Sequence, residues 1–397
     1  MKKVPDVYRM KLILTNYLKK RTSNAKPCES KIDNIDYNIR YRWNNYSSLL
    51  AASDCIYNLS EKNFANFDQL HLLFKDRSDI FSSKLKNTKY SLKDSFVVVT
   101  QKYFDHEKRN LELELLCCEM IISIFGINNL RKKIPNFVYL FGYGYCGYPF
   151  DRSSYVPITL ESNLPKNNKS EIKNIKLISS PQWCKNNVEN TFYAVYENIR
   201  GISLEKSIQS MNVIQIANIF FQILCSLRLA RIELKFTHYD LHDQNILIKK
   251  SKEKIHILYD TKHGTRRILT DEIAMIIDFD LSRMEIDEFP DYFFGRHLPK
   301  NNIFDYAPNI LTDVYRLIIA LDNSKANLRN NRPVFLFVER IFDFFAGQFG
   351  RLRDYGKQPT ALNPLNLKLM SNDLEELDLL IDHFLKICEE HKINLFV

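Results

Sequence analysis

Glycine is scarce in this chain, at 10 of 397 residues, and none precedes Gly126. Backbone N–H groups approach a phosphate most closely where a glycine leaves out the Cβ. The stretch before Gly126 therefore offers no glycine-rich phosphate loop. Ser82-Ser83 is the nearest substitute for a tight turn, at higher conformational cost. The 8 cysteines, Cys28, Cys55, Cys117, Cys118, Cys146, Cys184, Cys225 and Cys388, include no C-x-x-C pair, which removes the commonest zinc-binding spacing. Most stand beside apolar residues, as buried thiols of a reducing compartment do. No apolar run approaches a membrane span. The Met1-Lys2-Lys3 start lacks the sustained apolar core of a secretory signal. These absences lead us to expect no membrane span and a cytoplasmic location.

Hydrophobic residues make up 45% and charged residues 26%, a globular balance. The net charge of +9 is modest for this length. It is the charge of a solvated Lys/Arg surface and does not by itself call for nucleic acid as a specific partner.

The most informative stretch is Phe236-Thr-His-Tyr-Asp-Leu-His-Asp-Gln-Asn-Ile-Leu-Ile248. A polar loop runs directly into the apolar residues Ile246 to Ile248, which have the pattern of a buried strand. Asp240 and Asn245 are close enough in sequence to share one mouth. A carboxylate there can orient or deprotonate a hydroxyl, and an amide oxygen can ligate a hard cation. A second apolar run, Ala274 to Ile277, ends in Asp278-Phe-Asp280 and delivers another carboxylate from a strand end. Two acids and an amide at neighbouring strand ends suit a Mg²⁺-nucleotide site.

His238-Tyr-Asp-Leu-His-Asp-Gln-Asn245 resembles the H-R-D-L-x-x-x-N catalytic loop of the protein kinase superfamily, and Asp278-Phe-Asp280 resembles its D-F-G. His242 stands in the family's usual Lys position, a spelling similar to aminoglycoside and choline kinases. It is also similar to the divergent protein kinases of large DNA viruses, whose host cytoplasm or virion would be the location. The resemblance implies an α+β, bilobal protein kinase-like fold, with a small β-rich N-lobe and a larger, mainly helical C-lobe. It covers roughly residues 80 to 320. We divide the chain into an N-terminal helical extension at 1–75, an N-lobe at 76–198 and a C-lobe at 199–397.

Along the chain, Val7 to Leu18, Ser48 to Leu59 and Phe64 to Phe74 show helix-like spacing, and strands are expected from Ile80 to Thr100. Phe96-Val-Val-Val-Thr100 is the clearest strand in this half. The resemblance implies a strand lysine that meets the nucleotide phosphates. Lys102 is the best-placed candidate, Lys93 the alternative, and a solvated strand-end lysine the plain reading. Leu111 to Phe125 is an amphipathic helix that should offer a glutamate to that lysine. Glu119, deepest in the apolar stretch, is chosen before Glu114. Ser162 to Asn187 reads as a polar insertion and Thr191 to Tyr196 as a strand. Glu197-Asn-Ile199 takes the position of an adenine-binding hinge. Ile214 to Arg231 is a core helix by its one-sided apolar spacing. Asp305-Tyr-Ala-Pro308 is a remnant of A-P-E. Asp313 sits where a buried aspartate would prop the catalytic loop. Val334 to Phe349 and Leu374 to Cys388 complete the helices.

By the resemblance, Asp240 orients the attacking hydroxyl, and Asn245 and Asp278 hold Mg²⁺. Lys102 neutralises charge and is aimed by Glu119. Glu197 and Ile199 present backbone groups to ATP. His238 is structural, and His242 directs rather than charges. Tyr239 replaces the arginine that would answer an activation-segment phosphate. Three readings compete. One is ATP-dependent transfer to Ser/Thr hydroxyls of a protein substrate. Another is a small-molecule kinase, with Glu285, Asp287, Glu288 and Asp291 able to furnish an acidic pocket. The third is a pseudokinase that binds partners, motivated by the missing glycines.

Overall fold

The structure, a computed structural model, describes residues 5–24, 53, 67–75, 79–85, 96–102, 109–145, 191–295, 310–323, 328–349 and 373–397. The fold is α+β, with helices and strands in separate sheets and layers. The expected Ser162–Asn187 insertion, the A-P-E remnant, Lys93 and all of the Ser48–Leu59 helix except Ser53 lie outside the described residues.

The first sheet holds β1 (Phe67–Lys75), β2 (Asp79–Leu85), β3 (Phe96–Lys102), β4 (Leu140–Tyr145) and β5 (Thr191–Glu197), in the order β1-β2-β3-β5-β4. Its neighbours run antiparallel. Two expectations change here. Phe64–Phe74, read as helical, supplies β1 instead. Its apolar residues Leu70, Leu72, Leu73 and Phe74 fit either period over so short a run, and pairing with β2 decides for the strand. Because β1 belongs to this sheet, the boundary after residue 75 separates it from its partners. Ser82 and Ser83 do not form the turn either: they pair with Val97 and Phe96 inside β2 and β3.

Helix α1 (Val7–Asn24) packs against α2 (Arg109–Ile121). Tyr143 Oη donates to the Leu14 carbonyl at 2.6 Å, and Tyr17 meets Phe125 edge-on at 5.2 Å. A π-helical turn, Ile122–Ile127, continues α2. Gly126 lies in this turn where any Cβ would stand 2.5 Å from Met284 Sδ. Its missing side chain lets the end of α2 press against the chain that follows Asp278.

The second sheet is β6 (Gly201–Ser203), β7 (Ile246–Thr261) and β8 (Gly264–Ile276). Beneath it runs α3 (Val213–Leu234), started by a capping box in which Asn212 and Gln215 satisfy each other's backbone N–H. Among the described residues this is the one helix long and apolar enough to cross a membrane. It is buried around most of its circumference, as a core helix is. Helices α4 (Ile310–Asn323), α5 (Arg332–Phe349) and α6 (Asp373–Glu390) surround it. Arg228 of α3 pairs with Asp378 of α6 at 2.5 Å. Cys117, Cys118, Cys225 and Cys388 are buried free thiols, and burial pushes Cys117 and Cys118 up to about 12.

Candidate active site

Ile246 pairs with Ile276 across β7 and β8, so Asn245 and Ile277 leave adjacent strand ends together. The Ile277 N–H donates to the Asn245 carbonyl at 3.0 Å, and Asp278 follows. The Asn245 side-chain nitrogen donates to the Asp240 carbonyl at 3.0 Å. That bond leaves the amide oxygen as the atom free of the loop's own bonding. Asp240, Asn245 and Asp278 thus gather at one end of the second sheet.

The loop is held from below. Asp313, wholly buried on α4, accepts the His238 N–H at 2.7 Å and the Tyr239 N–H at 2.8 Å. Burial pushes its carboxyl up to about 7, against those two bonds and Arg316. His238 is also wholly buried, and burial lowers it to about 4, so the ring is neutral. Its Nε2 donates to the Ile277 carbonyl at 3.0 Å and its Nδ1 accepts the Asp240 N–H at 3.4 Å. His238 therefore ties the two strand ends together structurally. Phe279 closes the back of the site, packed on Phe137, Phe236 and His238.

The carboxylates crowd one another. Asp278 is exposed at the mouth of the site, yet its inner side faces protein. Burial, then Asp280 and Asp240, raise it well above the ordinary carboxylate range. Both Tyr239 (φ 62°) and Asp278 (φ 70°) hold left-handed backbone that side chains seldom adopt. Such outliers collect where a fixed geometry is needed more than a relaxed one.

Glu119 has a partner that the sequence does not suggest. Its carboxylate accepts a short hydrogen bond from the Tyr196 hydroxyl. Burial, with Asp278 and Asp280 adding, pushes it up to about 8. The strand register sets the backbone of Lys102 at a different level from Tyr196. Tyr196 stands opposite Val97, whereas Lys102 stands opposite Thr191. Five residues of strand separate the two levels, roughly 16 Å. With its folded value above the unfolded one, Glu119 contributes stability below about pH 4.5 that is lost as pH rises through 8. Glu119→Gln keeps a neutral acceptor for Tyr196. Thermal melts from pH 5 to 8 should therefore show a flatter decline for this variant than for the parent. An unchanged slope would show that Glu119 stays charged.

Glu197 is enclosed rather than turned to a ligand. Its side chain pairs with Arg131 at 3.3 Å and lies 3.8 Å from Lys249, all three buried. Burial lowers Lys249 to about 8. The Glu197 N–H donates to the Tyr139 carbonyl at 2.9 Å, and the Ile199 carbonyl accepts Gly201 N–H at 2.8 Å. The triad fixes this segment between the sheets, and two of its backbone groups are already engaged. His242 lies beside the loop. Its Nδ1 accepts the Gln244 N–H at 3.2 Å, and its Nε2 is 3.8 Å from Asp240 Oδ2, beyond hydrogen-bond reach. Burial lowers His242 from its ordinary value.

The following chain is pinned as well. Thr237 and Arg283 exchange backbone hydrogen bonds at 2.9 and 2.8 Å. Gly295, at φ 141°, passes where a Cβ would lie 2.7 Å from the Ser282 carbonyl. Tyr239 is buried there, and burial pushes its hydroxyl up to about 12. Among the described residues no cluster of His, Cys, Asp and Glu forms an all-protein metal site.

Two acids, a loop amide and a helix aspartate under the loop are arranged as the resemblance to protein kinases leads one to expect. Comparison with known proteins agrees. Residues 165–326 match the family model described as Haspin like kinase domain. The chain is 27% identical over 189 residues, 48% of its length, to "Uncharacterized protein 179R" of Invertebrate iridescent virus 6. It is 35% identical over 97 residues, 24% of its length, to "Probable kinase 098L" of Invertebrate iridescent virus 3. It is 37% identical over 120 residues, 30% of its length, to "Serine/threonine-protein kinase haspin" of Mus musculus. These matches span 14%, 18% and 16% of the relatives' own lengths. Over part of its length the chain thus resembles divergent protein kinases, among them a probable kinase of an iridescent virus and haspin.

Proposed function

We propose that this chain transfers the γ-phosphoryl group of ATP to Ser/Thr hydroxyls of a protein substrate, in a cleft between two lobes. The observation that carries this reading is the convergence of Asp240, Asn245 and Asp278 at adjoining strand ends, with Asp278 raised by burial and then by its acidic neighbours. Carboxylates forced together in this way favour a divalent cation among them. The donor set of one carboxylate and one amide oxygen fits Mg²⁺ that keeps water and phosphate ligands of its own. Mg²⁺ supplies charge neutralisation across the phosphates when bound.

Asn245 and Asp278 hold the metal in this reading. Asp240 accepts a hydrogen bond from the acceptor hydroxyl and aims it. His242, neutral, lends direction near Asp240. Backbone groups around Glu197 and Ile199 meet the adenine. Lys102 remains the phosphate-side cation, and Glu119 the glutamate that aims it, on the resemblance alone. The first sheet with α1 and α2 forms the smaller lobe, α1 being an N-terminal extension braced on α2. The second sheet with α3 to α6 forms the larger lobe, and the host cytoplasm is the place of action.

The test is transfer of labelled phosphate from ATP to casein-like protein, choline and an aminoglycoside, with and without Mg²⁺. Labelling of protein on serine and threonine, dependent on Mg²⁺ and lost in Asp240→Asn, is the expected result. Labelling of choline or the aminoglycoside alone would move the chain to the small-molecule kinases. The pseudokinase reading wins if no acceptor is labelled.

A further inference from the structure

The cation that meets Asp240 comes from a helix, not from the loop or from a strand. Arg316 stands one turn beyond Asp313 on α4. Its Nη2 lies 2.7 Å from Asp240 Oδ1, and its Nη1 donates to the Tyr239 carbonyl. Asp313 meanwhile takes the N–H groups of His238 and Tyr239. One turn of helix therefore grips both backbone polar groups of left-handed Tyr239 and the carboxylate of the next residue.

The loop itself brings no such charge. His242 occupies the position where the resemblance implies a lysine. Its Nδ1 is used by Gln244, and its Nε2 stops 3.8 Å from the other Asp240 oxygen. Among the described residues, Arg316 is the one Lys or Arg paired with Asp240. Arg316 and Asp240 are 29% and 25% exposed, so the pair faces the space an acceptor would enter. A planar guanidinium bonded at two points fixes direction as well as charge.

We propose that Arg316 is a positioning residue for phosphoryl transfer, holding the Asp240 carboxylate in its working direction and supplying from α4 the positive charge that the loop lost with its lysine. This rests on the kinase reading above. The site keeps a charge beside its hydroxyl-orienting acid but anchors it on a buried helix. The charge is thereby coupled to the element that also holds the loop backbone.

The experiment compares the full chain with Arg316→Met, Arg316→Lys and the double variant Arg316→Met/His242→Lys. Turnover is counted per folded molecule, with kcat and the KM for ATP measured separately. Arg316→Met should lose about a hundredfold in kcat, the scale of one preorganised charged donor, with KM for ATP within about twofold of the parent. Arg316→Lys, which keeps the charge without the fork, should lose less. The double variant should regain about tenfold, because a lysine at 242 returns a cation to the other side of Asp240. Equal kcat for Arg316→Met and the parent would overturn the proposal. So would a double variant no faster than Arg316→Met, since a purely structural arginine is not replaced from position 242. Should Arg316→Met not fold, the fall in Arg316→Lys and its recovery on adding His242→Lys decide the matter in the same way. A parent chain that labels no acceptor fails at the first measurement and sinks the kinase reading itself. A parent that is active with indifferent variants sinks only the role of Arg316.

Discussion

Asp278→Asn is expected to melt higher than the parent at pH 8 and to transfer phosphate far more slowly. The two effects share one cause. Burial, Asp280 and Asp240 all raise the Asp278 carboxyl. Its folded form therefore keeps a proton that the unfolded chain has already released. The group's contribution to stability is present below the ordinary carboxylate range and is lost as pH rises through the raised folded value. At pH 8 the charge is fully formed among like charges. An amide of the same shape removes that repulsion, and asparagine tolerates the left-handed backbone at φ 70°. Because Asp278 is exposed at the mouth, water screens part of the repulsion, and the gain should be only about a degree or two in Tm.

The losses are larger. An amide in place of the carboxylate takes away the one charged metal ligand of the proposed pair. Addition of Mg²⁺-ATP, which on the proposed reading should raise the parent's melting temperature by binding its folded form, should leave Asp278→Asn unmoved. Transfer should fall by roughly a thousandfold, since electrostatic stabilisation is the main thing phosphoryl transfer asks of the protein. Melts at pH 8 with and without Mg²⁺-ATP, beside the labelled transfer assay, measure all three effects. A variant that is less stable without ligand, or that still responds to Mg²⁺-ATP, would remove Asp278 from the metal site.

The parts of the site written in contiguous residues were legible in the sequence. Asp240, Asn245 and Asp278 declare themselves because a polar run meets an apolar strand, and strand ends place their flanking side chains predictably. Asp313 was legible through its order after the loop. What escaped depends on packing between distant elements. Arg316 lies 76 residues from Asp240. Its only local sign is a spacing of three from Asp313, common on any helix. The Tyr196–Glu119 bond spans 77 residues and joins a helix to a strand that is remote from it in sequence. The Glu197 triad escaped because its three charges sit in separate elements, each plain as a surface charge. β1 was misread since Phe67 to Lys75 is too short for periodicity to separate strand from helix.

Asp313→Ala is expected to be the most destabilising change in the site. The deletion leaves the N–H groups of His238 and Tyr239 buried without an acceptor, and it removes a carboxylate near Arg316. Each buried donor left unsatisfied costs about 1–3 kcal/mol. Whatever folds should also turn over about a hundredfold more slowly, because a loop no longer held from below misplaces Asp240. Asp313→Asn separates the two roles. It keeps one acceptor oxygen and cannot ionise, so its stability should be indifferent to pH at this position. The parent's is not. Burial pushes Asp313 up to about 7, so the parent's advantage from this residue is complete below the unfolded value of 3.8 and shrinks as pH rises through 7. Melts of parent and Asp313→Asn at pH 5, 6.5 and 8 should therefore draw together as pH increases. A gap that stays constant instead would mean that Arg316 and the two N–H groups outweigh burial and hold Asp313 ionised throughout. The helix would then grip the loop with a permanent charge, one that lowering the pH to 5 would not release.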